Sequence, residues 1–386
     1  MNILFDLFTT QIQVGGSAEY VRRVFYSVLE YTKQHRNGIK ILGFVDSSLG
    51  KWSYSDLTPE SLASKNIQVL DYAQTNLKEI ISQYKINKIF IGCGQFWGNR
   101  FDVENITCPC VCVLHDLQDE EFHVNKIQEY LSLNNLWRFT KLILNRRIRG
   151  NRSIKRLPPL FELAKINSRL QFVSVSNYSR NSIVYNFSYP KNKIAVLYSP
   201  ERLTESKTSI ENGVVKNLVE KNVRYFLMLS ANRPAKNADK VFSAFERFQE
   251  LTGEDVYIVT TGYKQQRYKH HIPMPYLSDS DLEHVVCNSY ALIFPSFFEG
   301  FGYPAVEAMK YGKPVLSSNV TSMPEILGDA PIYFSPLYET DIFSAFCKFN
   351  EDNYESRSLK SSNQYAMIHQ KQENDLSTLV ELLTSY

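Results

Sequence analysis

The strongest restriction on how this chain can fold is a rhythm. Short apolar runs, rich in β-branched residues and closed by Gly, Pro, Asn or Asp, alternate with longer amphipathic stretches from one end to the other. Such runs read as strands buried on both faces. A first series predicts strands at Asn2–Phe8, Lys40–Asp46, Ile67–Asp71, Lys88–Gly92, Cys110–His115, Gln171–Ser176 and Lys193–Leu197. A second predicts them at Tyr225–Ser230, Val256–Thr261, Ala291–Pro295, Pro314–Ser318 and Pro331–Phe334. Between them the apolar spacing turns helical: after Ser17, residues Val21, Val24, Phe25, Val28 and Leu29 form one stripe. Alternation of this kind makes parallel α/β sheets. Two series predict two doubly wound domains, 1–200 and 222–350, parted by the polar stretch Pro200 to Lys221. Ligands of such sheets bind at the carboxyl ends of strands, and two facing domains put the expected site in a central cleft.

Length and charge exclude several classes. At ~100–200 residues per domain, 386 residues suit two or three domains. Lys and Arg number 43 against 40 Asp and Glu, a net charge of +3, too weak an excess for a dedicated nucleic-acid binder. No apolar run reaches the ~20 residues of a membrane-spanning helix. The opening Met1-Asn2-Ile3-Leu4-Phe5-Asp6 lacks the basic flank of a signal peptide, so a cytoplasmic location is expected. Of six cysteines, Cys108, Cys110 and Cys112 alternate along one strand face, which cannot close a tetrahedral metal site; buried thiols are expected.

One segment breaks the rhythm. Leu136 to Arg156 holds eight basic residues and no acid, interleaved with Trp137, Phe139, Leu142, Ile143 and Leu144. It sits in a basic insertion of about 118–168. A basic amphipathic segment can lie on an anionic membrane, at ~1 kcal/mol per basic residue. A solvated helix packed on the first domain is the plainer alternative.

The chemistry gathers in two loops of the second half. After the strand at Ala291–Pro295 come Glu299-Gly300-Phe301-Gly302-Tyr303-Pro304 and a helical pattern through Glu307 to Tyr311, ended by Gly312. Pro at a helix start and Gly after its end fit the usual asymmetry. Free amides at such a helix start, approached closely past Gly300 and Gly302, suit a diphosphate. Glu299 and Glu307 would repel phosphate but accept hydrogen bonds from vicinal hydroxyls of ribose or hexose; for Glu307 alone, a favourable charge in the first helical turn also suffices. The strand at Tyr225–Ser230 is followed by Arg233-Pro234-Ala235-Lys236-Asn237, which offers a planar fork and a point charge to the same anion. A solvated turn is the alternative.

In the first half, Gly15-Gly16 opens a helix without a dinucleotide fingerprint, and His115 ends a strand. His115 reads equally as a ligand contact or a structural histidine. Ser322-Met323-Pro324-Glu325 reads as a capping box, and Asp279-Ser280-Asp281 as a helix cap. No zinc, Walker or nucleophile-elbow motif occurs.

Together these loops resemble the retaining GT-B glycosyltransferases, within them glycosyltransferase family 4, the group 1 glycosyl transferases. The resemblance rests on Arg233-Pro-Ala-Lys236-Asn237, Leu277-Ser-Asp-Ser-Asp-Leu282, Phe294-Pro-Ser-Phe-Phe-Glu299 through Glu307-Ala-Met, Gly312-Lys-Pro-Val315 and Pro324-Glu325-Ile-Leu-Gly328-Asp. It covers about 225–340, with looser matches at Gly15-Gly16, His115-Asp116 and Ser174-Val-Ser-Asn177. The Arg-to-Lys gap is short for the family, Pro275-Tyr276 stands where many members have glycine, and Leu117 to Leu170 carries no family motif.

The resemblance implies a nucleotide-sugar donor, a GDP- or UDP-sugar, with no further cofactor and no metal. It implies that Arg233 and Lys236 neutralise the donor diphosphate, that amides of Gly300, Phe301 and Gly302 hold it, and that Glu299 and Glu307 take sugar and ribose hydroxyls. His115 would sit by the transferred sugar, Gly16 by the diphosphate, and residues 351–386 would form a helical segment packed back on the first domain. A mannose-like hexose would pass with retention to a hydroxyl of a saccharide or lipid-linked acceptor in surface polysaccharide synthesis, at the inner face of the membrane. The alternatives are a catalytically silent nucleotide-sugar-binding subunit and a GT-B epimerase.

Overall fold

A computed structural model describes residues 1–12, 15–35, 38–50, 52–97, 103–121, 157–203, 209–263 and 265–385. The chain divides into two compact units, Met1–Leu203 with Lys371–Tyr386, and Thr204–Gln370. The basic segment 136–156 lies outside the described residues.

The first unit is built on seven strands: β1 (Asn2–Asp6), β2 (Lys40–Val45), β3 (Gln68–Asp71), β4 (Lys88–Ile91), β5 (Cys110–Leu114), β6 (Leu170–Ser174) and β7 (Ile194–Val196). Their order is β3-β2-β1-β4-β5-β6-β7, parallel throughout, so it reverses between β1 and β4. The register sets Ile3 against Ile41 on one side and Lys88 on the other. The expected stripe is the buried face of the helix Gly16–His35, with Val21, Val24, Phe25 and Val28 fully enclosed. Cys108, Cys110 and Cys112 belong to the apolar core of this unit, and all six cysteines are free thiols. Burial pushes Cys110 and Cys112 well above the usual thiol range, which removes them as nucleophiles.

The second unit holds β8 (Tyr225–Met228), β9 (Tyr257–Thr261), β10 (His271–Met274), β11 (Ala291–Phe294), β12 (Val315–Ser318) and β13 (Ile332–Phe334). Their order is β10-β9-β8-β11-β12-β13, again all parallel, reversing between β8 and β11. Its core is aromatic: Phe226 packs edge-on against Phe245, Phe346 and Phe349 at 5.0–5.9 Å. The strand β10 has no counterpart in the sequence reading. It is short and contains Pro273, which a parallel sheet tolerates at an edge, and β10 is the edge.

The polar stretch 200–221 is not wholly a linker. Its second part is the helix Gly213–Glu220, which buries Val215 and Leu218 and is capped by Asn212, whose side chain accepts from the Val214 and Val215 amides. The chain leaves the second unit within the helix Tyr354–Thr384. Beyond Lys371 that helix is held by the first unit. Tyr198 N–H donates to Asp375 at 2.7 Å, and Gln372 donates to the Ser199 carbonyl at 2.6 Å. Lys88 Nζ donates to the carbonyls of Leu382 and Ser385, so a cation meets the negative end of the helix.

Candidate functional site

Both loops singled out from sequence leave the carboxyl ends of β8 and β11, the neighbouring strands at which the second sheet reverses. There two crossovers depart to opposite faces and leave a crevice for a ligand. The loops are joined by backbone and side chain. Phe297 N–H donates to the Ala235 carbonyl at 2.9 Å. Pro234–Lys236 form one 3-10 turn, stopped by Asn237 in the left-handed region at φ 57°, whose side chain donates to the Pro336 carbonyl. That turn carries Lys236 inward. It is 7% exposed, its Nζ lies 4.5 Å from the centre of the Phe294 ring, and it donates to Glu299 Oε1 at 2.5 Å. Arg233, three residues earlier, is exposed and makes no ion pair among the described residues. The two cations therefore differ: one is paired and fixed, the other is solvated.

Glu299 is itself held. Its amide donates to Thr321 Oγ1 at 3.2 Å, and its carbonyl accepts from Ser322 Oγ at 2.9 Å. Thr321 sits at φ 55°, a costly conformation for a β-branched residue and one that persists where surrounding structure enforces it. This corrects one sequence reading. Ser322 does not cap the following helix: its side chain is turned to Glu299, and no capping box with Glu325 forms. No sequence signal linked residues 321 and 322 to Glu299.

Beyond Glu299, the amides of Gly300 and Gly302 make no hydrogen bond among the described residues. Gly302 stands at φ 89°, immediately before the helix Tyr303–Lys310, and a Cβ there would lie 2.5 Å from Met323 Cε. Phe301 is buried between the two glycines. Glu307 is the fifth residue of the helix and so lies past its first turn, which removes the helix-dipole account of it. The helix ends as expected, with Gly312 at φ 65° and its amide on the Met309 carbonyl. Asp281 turned out to be more than part of a cap. Ser278 caps the helix Asp279–Cys287, while Asp281 Oδ1 accepts from the amides of Glu211 and Asn212.

His115 and Gly16 belong to the first unit. Gly16 is exposed and begins the helix Gly16–His35. His115 follows β5, and its Nε2 lies 2.8 Å from the Gly92 carbonyl. Its ring meets the Tyr20 ring edge-on at 4.9 Å. Burial lowers its pKa to about 4, so the imidazole is neutral near pH 7. Among the described residues no helix is long and apolar enough to cross a membrane.

Residues 209–339 match the family model described as Glycosyl transferases group 1. The match lies within the second unit. All seven second-half site residues, from Arg233 to Glu307, fall inside it. The O-antigen chain mannosyltransferase B of Escherichia coli is 28% identical over 201 residues, 47% of this chain and 51% of that protein. The serotype-specific mannosyltransferase WbdA of Escherichia coli is 23% identical over 407 residues, 94% of this chain and 45% of the relative. The chain thus spans about half the length of these curated relatives. Anabaena Alr3699/HepE, solved with UDP and glucose, superposes with a TM-score of 0.65 at 16% identity over the whole of both chains. That likeness establishes the fold as GT-B.

Proposed function

We propose that this chain is a retaining glycosyltransferase. It moves a mannose-like hexose from a nucleoside diphosphate sugar to a hydroxyl of a saccharide or lipid-linked acceptor, in the synthesis of a surface polysaccharide. The observation that carries the reading is the convergence, at one sheet reversal, of the buried Lys236–Glu299 pair with the unbonded Gly300 and Gly302 amides. Positive charge and oriented amides in one place suit a pyrophosphate. The mannosyltransferase names of the two relatives favour the sugar and the setting.

In this reading the departing nucleoside diphosphate gains charge as the anomeric bond breaks. Lys236 and the amides of Gly300, Phe301 and Gly302 are held donors for that charge, and the solvated Arg233 would turn to it. Losing one such donor typically costs ~3–4 kcal/mol of barrier. Glu299, which accepts from Lys236 here, would also accept from a sugar hydroxyl, and Glu307 from the ribose. No carboxylate nucleophile is assigned. The acceptor hydroxyl attacks on the face the phosphate leaves and passes its proton to that phosphate, which retains the anomeric configuration. His115 and Gly16 would approach sugar and diphosphate respectively, and residues 136–156 would rest on an anionic membrane surface.

Incubating the purified chain with a panel of GDP- and UDP-sugars and candidate acceptors tests this. Release of nucleoside diphosphate with a retained linkage supports it. Isomerised donor without acceptor would point to an epimerase. Stabilisation by donor without any turnover would point to a silent binding subunit.

A further inference from the structure

Asp6 ends β1, the strand beside β4 where the first sheet reverses. It is 1% exposed, and no basic side chain pairs with it among the described residues. The groups that meet it are donors. Thr9 N–H reaches Oδ1 at 3.2 Å; Thr9 Oγ1, Trp97 Nε1 and Gly92 N–H reach Oδ2 at 2.7, 3.1 and 3.2 Å. A buried carboxylate held only by neutral donors is costly, so its retention asks for a purpose.

Gly92 supplies one. Its N–H faces Asp6, while its carbonyl faces His115 Nε2 at 2.8 Å. A carbonyl only accepts, so Nε2 carries the proton and the neutral ring keeps its lone pair on Nδ1. Nδ1 has no hydrogen-bond partner among the described residues. The Gly92 backbone between the two side chains, its N–H in one peptide group and its carbonyl in the next, lies close against the neighbouring helix. A Cβ at residue 92 would lie 2.1 Å from Val21 Cγ2, so only glycine lets the helix Gly16–His35 pack this close. Tyr20, on that same helix, bounds the His115 ring.

We propose that Asp6 is a positioning residue for His115: by holding the Gly92 N–H it anchors the residue whose carbonyl, in the next peptide group, fixes the imidazole as the Nε2–H tautomer, leaving Nδ1 to accept a hydrogen bond from a substrate hydroxyl. The tautomer does not depend on the glycosyltransferase reading; the hydroxyl does. Asp6 touches no substrate in this arrangement. It acts as second partners of a catalytic histidine act, by setting which nitrogen is bare.

The test is two-bond nitrogen–proton NMR of the full chain labelled on its seven histidines, with His115 assigned from sequential backbone connectivities in the unaltered protein. At pH 7 His115 is expected to show a protonated Nε2 and a bare Nδ1. Asp6→Asn presents an amide N–H where donors converge, and it is expected to abolish that signature at His115 while the other histidines keep theirs. The spectrum of the unaltered protein needs no variant to fold, and an Nδ1–H tautomer there overturns the proposal. An unchanged His115 pattern in folded Asp6→Asn overturns it too. If sugar transfer is established, Asp6→Asn is expected to lower kcat roughly tenfold with donor KM within about twofold, the mark of a group acting on the reacting state. The expected tautomer in a protein that transfers no sugar would uphold the positioning and sink the function reading alone.

Discussion

Lys236 Nζ and Glu299 Oε1 lie 2.5 Å apart, although 63 residues separate them in the chain. The pair stitches the loop after β8 to the loop after β11, and both side chains are largely shielded, with relative exposures of 8% and 18%. Removing one partner leaves the other charge poorly solvated. Lys236→Met is therefore expected to cost about 2–3 kcal/mol, somewhat below the range for fully buried pairs. Adding Glu299→Gln to it should recover part of that loss, because no lone charge remains. Urea midpoints of the two single variants and the double variant check this, and strict additivity would count against the pair.

Gly302 separates two effects. An alanine there meets a flexible methionine tip and must also adopt φ 89°. Gly302→Ala is expected to cost about 1–2 kcal/mol from the left-handed backbone alone, plus the shift of Met323. Met323→Ala in the same chain removes the second cost and keeps the first. Thermal unfolding should place the double variant below the parent, and donor turnover should fall in both, since the Gly302 amide is displaced.

Much of this was legible before any coordinates. Twelve of the described strands follow from apolar runs, because strands buried on both faces leave a continuous signature. The missed strand, His271–Met274, is four residues long, begins at a histidine and is interrupted by Pro273 at a sheet edge, so it leaves no β-branched apolar run to read. The Gly302 turn and the Gly312 stop were readable because single residues dictate them. The Lys236–Glu299 bond, the Ser322 contact to Glu299 and the Asp281 link to Glu211 were not: each joins residues distant in sequence, and no periodicity encodes them. The Ser322–Glu325 capping box was a local pattern overruled by a tertiary partner.

Acid should destabilise the chain early. Burial lowers both His115 and His271 from 6.5 to about 4. His271 donates to Thr260 through Nε2 and accepts the Arg267 amide at Nδ1, so it is built to be neutral. An unfolded chain protonates both as pH falls below 6.5, and the folded chain resists. Stability is thus full above 6.5 and is lost as pH falls toward 4, at about 1.4 kcal/mol per pH unit for each histidine. Asp6, raised by burial, acts with the opposite sign above the usual carboxylate range and offsets some of the lower end. Urea midpoints between pH 7 and pH 4.5 measure the slope, and His271→Gln should remove roughly half of it.

The basic segment makes its own prediction. If residues 136–156 bind an anionic surface, the chain should sediment with vesicles containing phosphatidylglycerol and not with neutral vesicles. Each basic residue is worth ~1 kcal/mol there. Replacing Arg146, Arg147 and Arg149 with Gln should then reduce vesicle affinity by roughly a hundredfold, and rising salt should mimic the change. Binding that ignores these substitutions would mean another surface is responsible.

The central claim is that the loops around Lys236 and Gly302 grip the pyrophosphate of an activated sugar. Calorimetric titration of GDP and UDP into the unaltered chain and into Lys236→Met measures it most directly. Binding of at least one of the two, weakened roughly tenfold or more in Lys236→Met, is the expected result. Equal affinity in both proteins, or no binding of either nucleotide to a folded chain, would contradict the account.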